Sequence, residues 1–420
     1  MKAMHSTLPQ LGWKPFFSEQ VSAEEGRRCQ PVRVMSVHRG MVTVLGDGID
    51  DSISSVRPAP EGPEDRPTVG DWLLIDRDSR AVVRILNRTS LFKRAAPGDD
   101  RRLQLIAANV DTPEAYRLAK TLGAKGIGLL RTESFIDQYG AIPSEQQQIL
   151  AYQRIADVTG GDGMKIRTFD IGAGHFNGND RPRETNPALG LRSIRLSLSK
   201  TDDFRTQIRA ILRASVDRTI DLILPMISGV DEIVRSKVII EEERERLAID
   251  GIRFGNPRLG AMIEVPSGVL TARQIAKKVD FICLGTNDLV QYLLAVDRDN
   301  DAVADWYQTL HPAVIRAISE VLTAGSHAKI PVTVCGEMAG SPFYIPVLLG
   351  LGAQALSINT GSISQVRRLI SGVALRETVE LVKRVKTCES AEETEHLLRK
   401  YYSENWAHLF PSGLLSTKHR

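Results

Sequence analysis

The sequence predicts an α/β protein in which a small all-β domain of the OB type precedes a (β/α)8 barrel. Three observations carry this. From Leu103 onward, apolar strand-like runs alternate with segments whose apolar residues recur at three and four. Residues 31–88 hold only short strand-like runs, divided by turn-rich pieces such as APEGPEDRP. Side chains suited to chemistry fall at the C-terminal ends of the later strand runs, which is where such barrels bind ligands.

The small domain, residues 1–102, offers PVRVMSVHRG, MVTVLGDG, ISSVRP, GDWLLIDR and AVVRILNR as strands. The barrel domain, residues 103–420, offers 103–110, 126–131, 165–170, 222–227, 258–265, 281–286, 332–337 and 355–359. Helical text such as TPEAYRLAKTLG, SEQQQILAYQRIADV and VDEIVRSKVIIEEERERLA fills the intervals. RETVELVKRVKT and SAEETEHLLRKYY read as further helices on the barrel's outside.

At 420 residues the chain is long enough for more than one domain. With 42% hydrophobic and 25% charged residues it has a globular composition, and a formal charge of +3 is too small to argue for nucleic acid by itself. MKAMHSTLPQ has no apolar core of signal-peptide length, and no run approaches the ~20 apolar residues that span a bilayer, so a cytoplasmic protein with no membrane partner is expected. Cys29, Cys283, Cys335 and Cys388 form no CxxC pair, which argues against a zinc site or disulfide framework.

The chemistry sits at the strand ends. The second barrel strand ends in Arg131-Thr132-Glu133, the third contains Arg167 and ends at Asp170, and the fifth ends at Glu264. The sixth ends at Asn287-Asp288 and the seventh at Cys335-Gly336-Glu337, while Arg192, Arg195 and Arg298 follow the third and sixth. Two carboxylates on neighbouring strand ends, among arginines, describe a site for a hard divalent cation and a highly charged anion. Mg2+ prefers oxygen and often takes only one or two protein carboxylates. Arginine gives fixed bidentate donors to phosphate and carboxylate. The competing readings are ion pairs that cap the barrel and, for Cys335, an inert buried thiol.

At these residues a family resemblance enters. RTES at Arg131, RTFDIG at Arg167, NPALGLRSIR, LPMI, MIEVP, GTNDLVQYLLAVDR and VCGEMAG resemble, in order, the phosphoenolpyruvate (PEP)-binding barrel of enzyme I of the sugar phosphotransferase system. That barrel is shared with pyruvate phosphate dikinase and PEP synthase. The resemblance implies that Glu264 and Asp288 bind Mg2+ and that Arg131 and Arg167 hold the phosphoryl group. It also implies that Asn287 and Arg298 contact the phosphoryl and carboxylate ends of PEP, that Arg192 lines the pocket, and that Cys335 is the acid that protonates the enolate carbon of pyruvate. A homodimer is implied too. Two positions depart from the family: His175 stands where a lysine is usual, and Cys283 where a serine is usual.

The first residues resemble another family. Leu11-Gly12-Trp13, Val37-His38-Arg39-Gly40, Val69-Gly70-Asp71-Trp72, NRTSLFKR and QLIAANVD look like the OB domain of the ribosome small-subunit-dependent GTPases. No GxxxxGK[ST] loop follows, so GTP hydrolysis does not carry over. Contact with RNA or the ribosome would use Arg84, Arg88, Lys93, Arg94, Arg101 and Arg102, with Phe92 and Trp72 as stacking groups.

The expected function is a Mg2+-dependent PEP phosphotransferase that exchanges a phosphoryl group with a histidine carrier on a separate protein, since none of the eight histidines lies in a GGxxSH-like setting. One alternative is a non-catalytic PEP or pyruvate sensor tethered through the OB domain to RNA or the ribosome. Another is a lyase acting through a Mg2+-bound pyruvate enolate.

Overall fold

The computed structural model describes residues 7–9, 11–38, 41–54, 67–86, 105–139, 141–172, 184–411 and 414–415. The chain forms two compact units, Met1–Lys93 and Arg94–Arg420.

The first unit is an antiparallel sheet of β1 (Cys29–His38), β2 (Met41–Gly46), β3 (Ile49–Ser54), β4 (Trp72–Asp76) and β5 (Val82–Ile85), in the order β3-β2-β1-β4-β5. β3 starts four residues before the expected ISSVRP run. The cause is local: Asp47 and Gly48, the latter at φ 71°, turn the chain within two residues, and Gly46 pairs directly with Ile49. One sheet face buries Val32, Val34, Val42, Val44, Ile53, Leu73 and Ile75. The other is covered by the segment ahead of the sheet, where Leu11 and Phe17 pack on Trp72 and Leu74. Among the described residues the sheet is open, with β1 pairing both β2 and β4.

That packing corrects the expectation for Trp72. It is 2% exposed, 4.7 Å from the Trp13 ring in an edge contact, so it is core and offers no face to a base. Arg84 is also engaged, its Nε 2.7 Å from Glu25 Oε1. Arg88, Phe92, Lys93, Arg94, Arg101 and Arg102 lie outside the described residues.

The second unit is a closed barrel. Its strands are β6 (Leu105–Asn109), β7 (Ile127–Leu130), β8 (Met164–Arg167), β9 (Ile220–Leu224), β10 (Leu259–Ile263), β11 (Phe281–Gly285), β12 (Val332–Cys335) and β13 (Ala355–Asn359). All neighbours are parallel and consecutive, and β13 closes on β6 through five residue pairs from Ala355↔Leu105 to Asn359↔Asn109. Each strand falls within or beside its expected run. β9, β10 and β11 are buried at every position, as parallel strands covered on both faces must be.

The helices Pro113–Thr121, Glu145–Thr159, Thr201–Ala214, Val230–Ile249 and Pro312–Ala328 lie between successive strands. Local chemistry starts them: Ser144 and Gln147 close a capping box on Glu145–Thr159, and the Thr112 hydroxyl accepts from the Ala115 N–H. After β13, the helices Leu375–Val385 and Ala391–Asn405 pack on the barrel's outside as expected. Tyr402 fixes the last of them, fully buried, its hydroxyl donating to the Phe343 carbonyl at 3.0 Å. Among the described residues, no helix is long and apolar enough to cross a membrane.

Candidate active site

The parallel register brings the strand ends to one rim, where a mouth of about 630 Å³ opens. Its lining includes Arg131, Arg167, Arg192, Glu264, Asn287, Asp288, Arg298 and Cys335. Chain segments from 131 to 335 meet there because each strand delivers its last side chains to the same end.

Arg167, at the tip of β8, is 8% exposed. Its Nη2 lies 2.9 Å from Glu133 Oε2 and its Nη1 3.0 Å from Asp170 Oδ2, so a buried guanidinium is clamped between two carboxylates. Burial alone would lower the Arg167 pKa, but Glu133, Asp170 and Glu264 reverse this and raise it. Asp170 is bridged in turn. Its Oδ1 is 2.8 Å from Arg192 Nη2 and accepts from the Ser193 hydroxyl. Burial pushes the Asp170 carboxyl up, yet Arg167, Arg192 and Ser193 outweigh it and hold the group at about 2. Arg192 also donates from Nη1 to the Tyr292 hydroxyl at 3.1 Å, and that hydroxyl donates to the Ala188 carbonyl at 2.6 Å.

Behind this clamp runs a chain of buried polar groups. Gln207 accepts from the Phe169 N–H at 3.0 Å and donates to Tyr152 Oη and Thr132 Oγ1, at 3.2 and 3.3 Å. The Thr132 hydroxyl donates to the Arg167 carbonyl at 3.0 Å. The ends of β7 and β8 are thereby tied to the helices Glu145–Thr159 and Thr201–Ala214.

The same mouth holds the two carboxylates. Glu264, 1% exposed, accepts the Met226 N–H on Oε1 at 2.7 Å. Burial pushes its carboxyl up to about 8, with Asp288 and Asp170 adding to the rise and Arg167 and the Met226 N–H opposing it. Asp288 lies in the first turn of the helix Thr286–Leu294; its Oδ2 is 3.5 Å from Arg298 Nη1, while its Oδ1 is buried without a hydrogen-bond partner. A buried carboxylate disfavoured as an anion, beside a second with an orphaned oxygen, fits a hard cation of the Mg2+ type completed by water and substrate oxygens. Among the described residues there is no group of three or more His, Cys, Asp or Glu placed to hold a metal.

Asn287 is held by Glu337: its Nδ2 donates to Glu337 Oε1 at 3.3 Å and its Oδ1 accepts the Glu337 N–H at 2.9 Å. The intervening turn needs glycine. Gly336 has φ 95°, and a Cβ there would sit 2.3 Å from Thr286 Oγ1. Cys335 at the end of β12 is 1% exposed, with its Sγ 3.8 Å from the Thr333 carbonyl.

Arg195 does not join the mouth. It is exposed and donates to the Leu189 carbonyl at 2.9 Å, which ties it back to the segment ahead of the helix Ser193–Ser199. His175 lies outside the described residues. Asn109 and Asn359 line the mouth as well, at the ends of β6 and β13. The same strand-end rule would have found them.

Residues 88–375 match the family described as PEP-utilising enzyme, PEP-binding domain. Among curated proteins, a phosphoenolpyruvate-protein phosphotransferase of Bacillus sp. (strain S) is 40% identical over 300 residues, covering 71% of this chain and 52% of that protein. One of Staphylococcus aureus is 39% identical over 298 residues, covering 70% and 52%. The chain thus spans about half the length of the curated relatives it matches. Among solved structures, a citrate lyase from Burkholderia xenovorans LB400 overlays with a TM-score of 0.42 and 16% identity, over 74% of this chain and 97% of that one, a likeness too slight to bear on function.

Proposed function

The chain belongs to the PEP-utilising enzymes by its PEP-binding domain, and from that membership we propose that the barrel is a Mg2+-dependent phosphotransferase that exchanges a phosphoryl group between PEP and a histidine carrier on a separate protein. The convergence of Arg131, Arg167, Arg192 and Arg298 with Glu264, Asp288 and Cys335 on one mouth carries this reading.

Arg131 and Arg167 hold the phosphoryl oxygens; Arg167 arrives with its plane already set by Glu133 and Asp170, so little ordering is left to do. Asn287 and Arg298 take the phosphoryl and carboxylate ends of PEP, and Arg192 lines the pocket beside them. Glu264 and Asp288 would hold Mg2+, which when bound supplies Lewis-acid neutralisation of the phosphoryl and enolate oxygens. Cys335, in the lining of the mouth, is the acid. It gives its thiol proton to the enolate carbon as pyruvate forms and removes one in the reverse direction. A homodimer is the assembly expected.

The test is incubation of the protein with Mg2+, PEP and candidate histidine carriers. Pyruvate and phosphohistidine are the expected products. Finding neither would sink the reading, and PEP binding without turnover would favour the sensor instead.

A further inference from the structure

Arg192 comes from the long connection between β8 and β9, and two anchors fix its guanidinium at the mouth. Nη2 lies 2.8 Å from Asp170 Oδ1, and Nη1 donates to the Tyr292 hydroxyl at 3.1 Å. The second anchor does more than accept. The Tyr292 hydroxyl gives its own proton to the Ala188 carbonyl at 2.6 Å, and Ala188 sits in the 3-10 turn Pro187–Leu189, just ahead of Arg192. One oxygen therefore holds both the guanidinium and the backbone that delivers it. Burial raises the Tyr292 pKa against the pull of Arg192, which keeps that proton in place at neutral pH.

Tyr292 stands on the helix Thr286–Leu294 one turn beyond Asp288, half-buried and packed against the barrel core. The residue before it, Gln291, accepts the Arg298 N–H on Oε1 at 3.2 Å. A single helix thus carries one proposed metal ligand and anchors two of the proposed substrate arginines. Tyr292 does not line the mouth, so it acts there only through Arg192.

We propose that Tyr292 is a positioning residue for PEP binding: its hydroxyl clasps Arg192 to the helix that carries Asp288, so that the arginine's remaining N–H donors face a substrate anion beside the metal site. The identity of that anion rests on the phosphotransfer reading above. A guanidinium held at one nitrogen alone swings about that contact, and the lost orientation must be recovered when substrate binds. Asp170 by itself leaves such a pivot, because it is shared with Arg167 and holds Arg192 through Nη2 only. Tyr292 removes the pivot by engaging the other terminal nitrogen, which fixes the plane.

Tyr292→Phe tests this on the full chain, since it removes the hydroxyl and keeps the ring. With Mg2+, PEP and a histidine carrier, the variant should raise KM for PEP by about tenfold and leave kcat within about twofold, because a clasp on a binding arginine acts on substrate and transition state alike. In an Arg192→Met background the same change should add less than about twofold, since no guanidinium remains to be held. A tyrosine that served the fold alone would weaken both backgrounds equally. A third measurement needs no PEP. In protein labelled with 15N-arginine, exchange of the Arg192 side-chain N–H with solvent should quicken by about tenfold in Tyr292→Phe, while Arg167, clamped by two carboxylates, keeps its parent rate. A Tyr292→Phe protein with the parent's KM, an equal loss in both backgrounds, or an unchanged Arg192 exchange rate overturns the proposal. Absence of both pyruvate formation and PEP binding in the unmutated protein would instead overturn the phosphotransfer reading, and the Arg192 exchange rate then decides the clasp by itself.

Discussion

The backbone N–H of Met226 points at Glu264 Oε1 from 2.7 Å, and Met226 holds φ at 50° to do so. A non-glycine residue in the left-handed region costs on the order of 1 kcal/mol or more, a strain that persists only where the surroundings impose it. Here it provides one fixed donor to a carboxyl that burial otherwise drives toward its neutral form.

Binding of Mg2+ should therefore release a proton. The Glu264 carboxyl, ordinarily near 4.5, sits at about 8 in the metal-free protein. Below that pH the ion must displace the proton, so affinity rises with pH and levels off above about 8. Calorimetry in buffers of different ionisation enthalpy should find about one proton released per ion near neutral pH, and none in Glu264→Gln. The sign for the fold follows from the same shift. The folded state keeps the proton longer than the unfolded chain, so metal-free stability declines as pH climbs from about 4.5 toward 8. Glu264→Gln should flatten that slope in thermal melts.

Arg167→Ala should cost about 3–5 kcal/mol by denaturant unfolding, because it takes the shared guanidinium from Glu133 and Asp170 and leaves Asp170 only its pair with Arg192. Arg167→Met combined with Glu133→Gln should cost less than the single change. PEP binding by calorimetry should be lost in both. An Arg167→Ala protein as stable as the parent would contradict the clamp.

Gly336→Ala should disturb the rim without touching the core. The added methyl meets Thr286 Oγ1 at 2.3 Å and Asn287 Oδ1 at 2.7 Å, at a φ that alanine rarely adopts. A stability loss of about 1–3 kcal/mol is expected, together with a lower kcat/KM as the Asn287–Glu337 pair is displaced.

Gln207→Leu tests the buried polar chain behind the clamp. It strands the Phe169 N–H and removes a partner from Thr132 and Tyr152. Unfolding should show a loss of about 1–3 kcal/mol. Hydrogen exchange at Phe169 should quicken by more than the global loss accounts for.

The rim was legible in the sequence because a (β/α)8 barrel obeys a positional rule: whatever follows an apolar strand run ends up at the same mouth. Arg131, Arg167, Glu264, Asp288 and Cys335 were found that way. Asn109 and Asn359 obey the same rule, although asparagine at a strand end reads equally well as turn chemistry. Tyr292 and Gln207 act across long stretches of chain, on Arg192 and on the backbone of Phe169, and no local pattern announces such reach. Trp72 misled because an aromatic residue near basic ones resembles a stacking group. The cue to its burial lay in the Leu11 to Phe17 segment, whose apolar residues needed something to cover.

The closure of β13 on β6 has a consequence for where the two units can be cut apart. β6 lies first in the barrel's sequence, yet it is the stave that completes the ring, bonded to β13 on one side and β7 on the other. A fragment beginning after Asn109 would leave β13 and β7 as two bare parallel edges, a template for pairing with other chains. A fragment beginning ahead of Leu105 keeps the ring whole. Limited proteolysis should sort these cases, with soluble barrel recovered only when the cleavage point precedes β6.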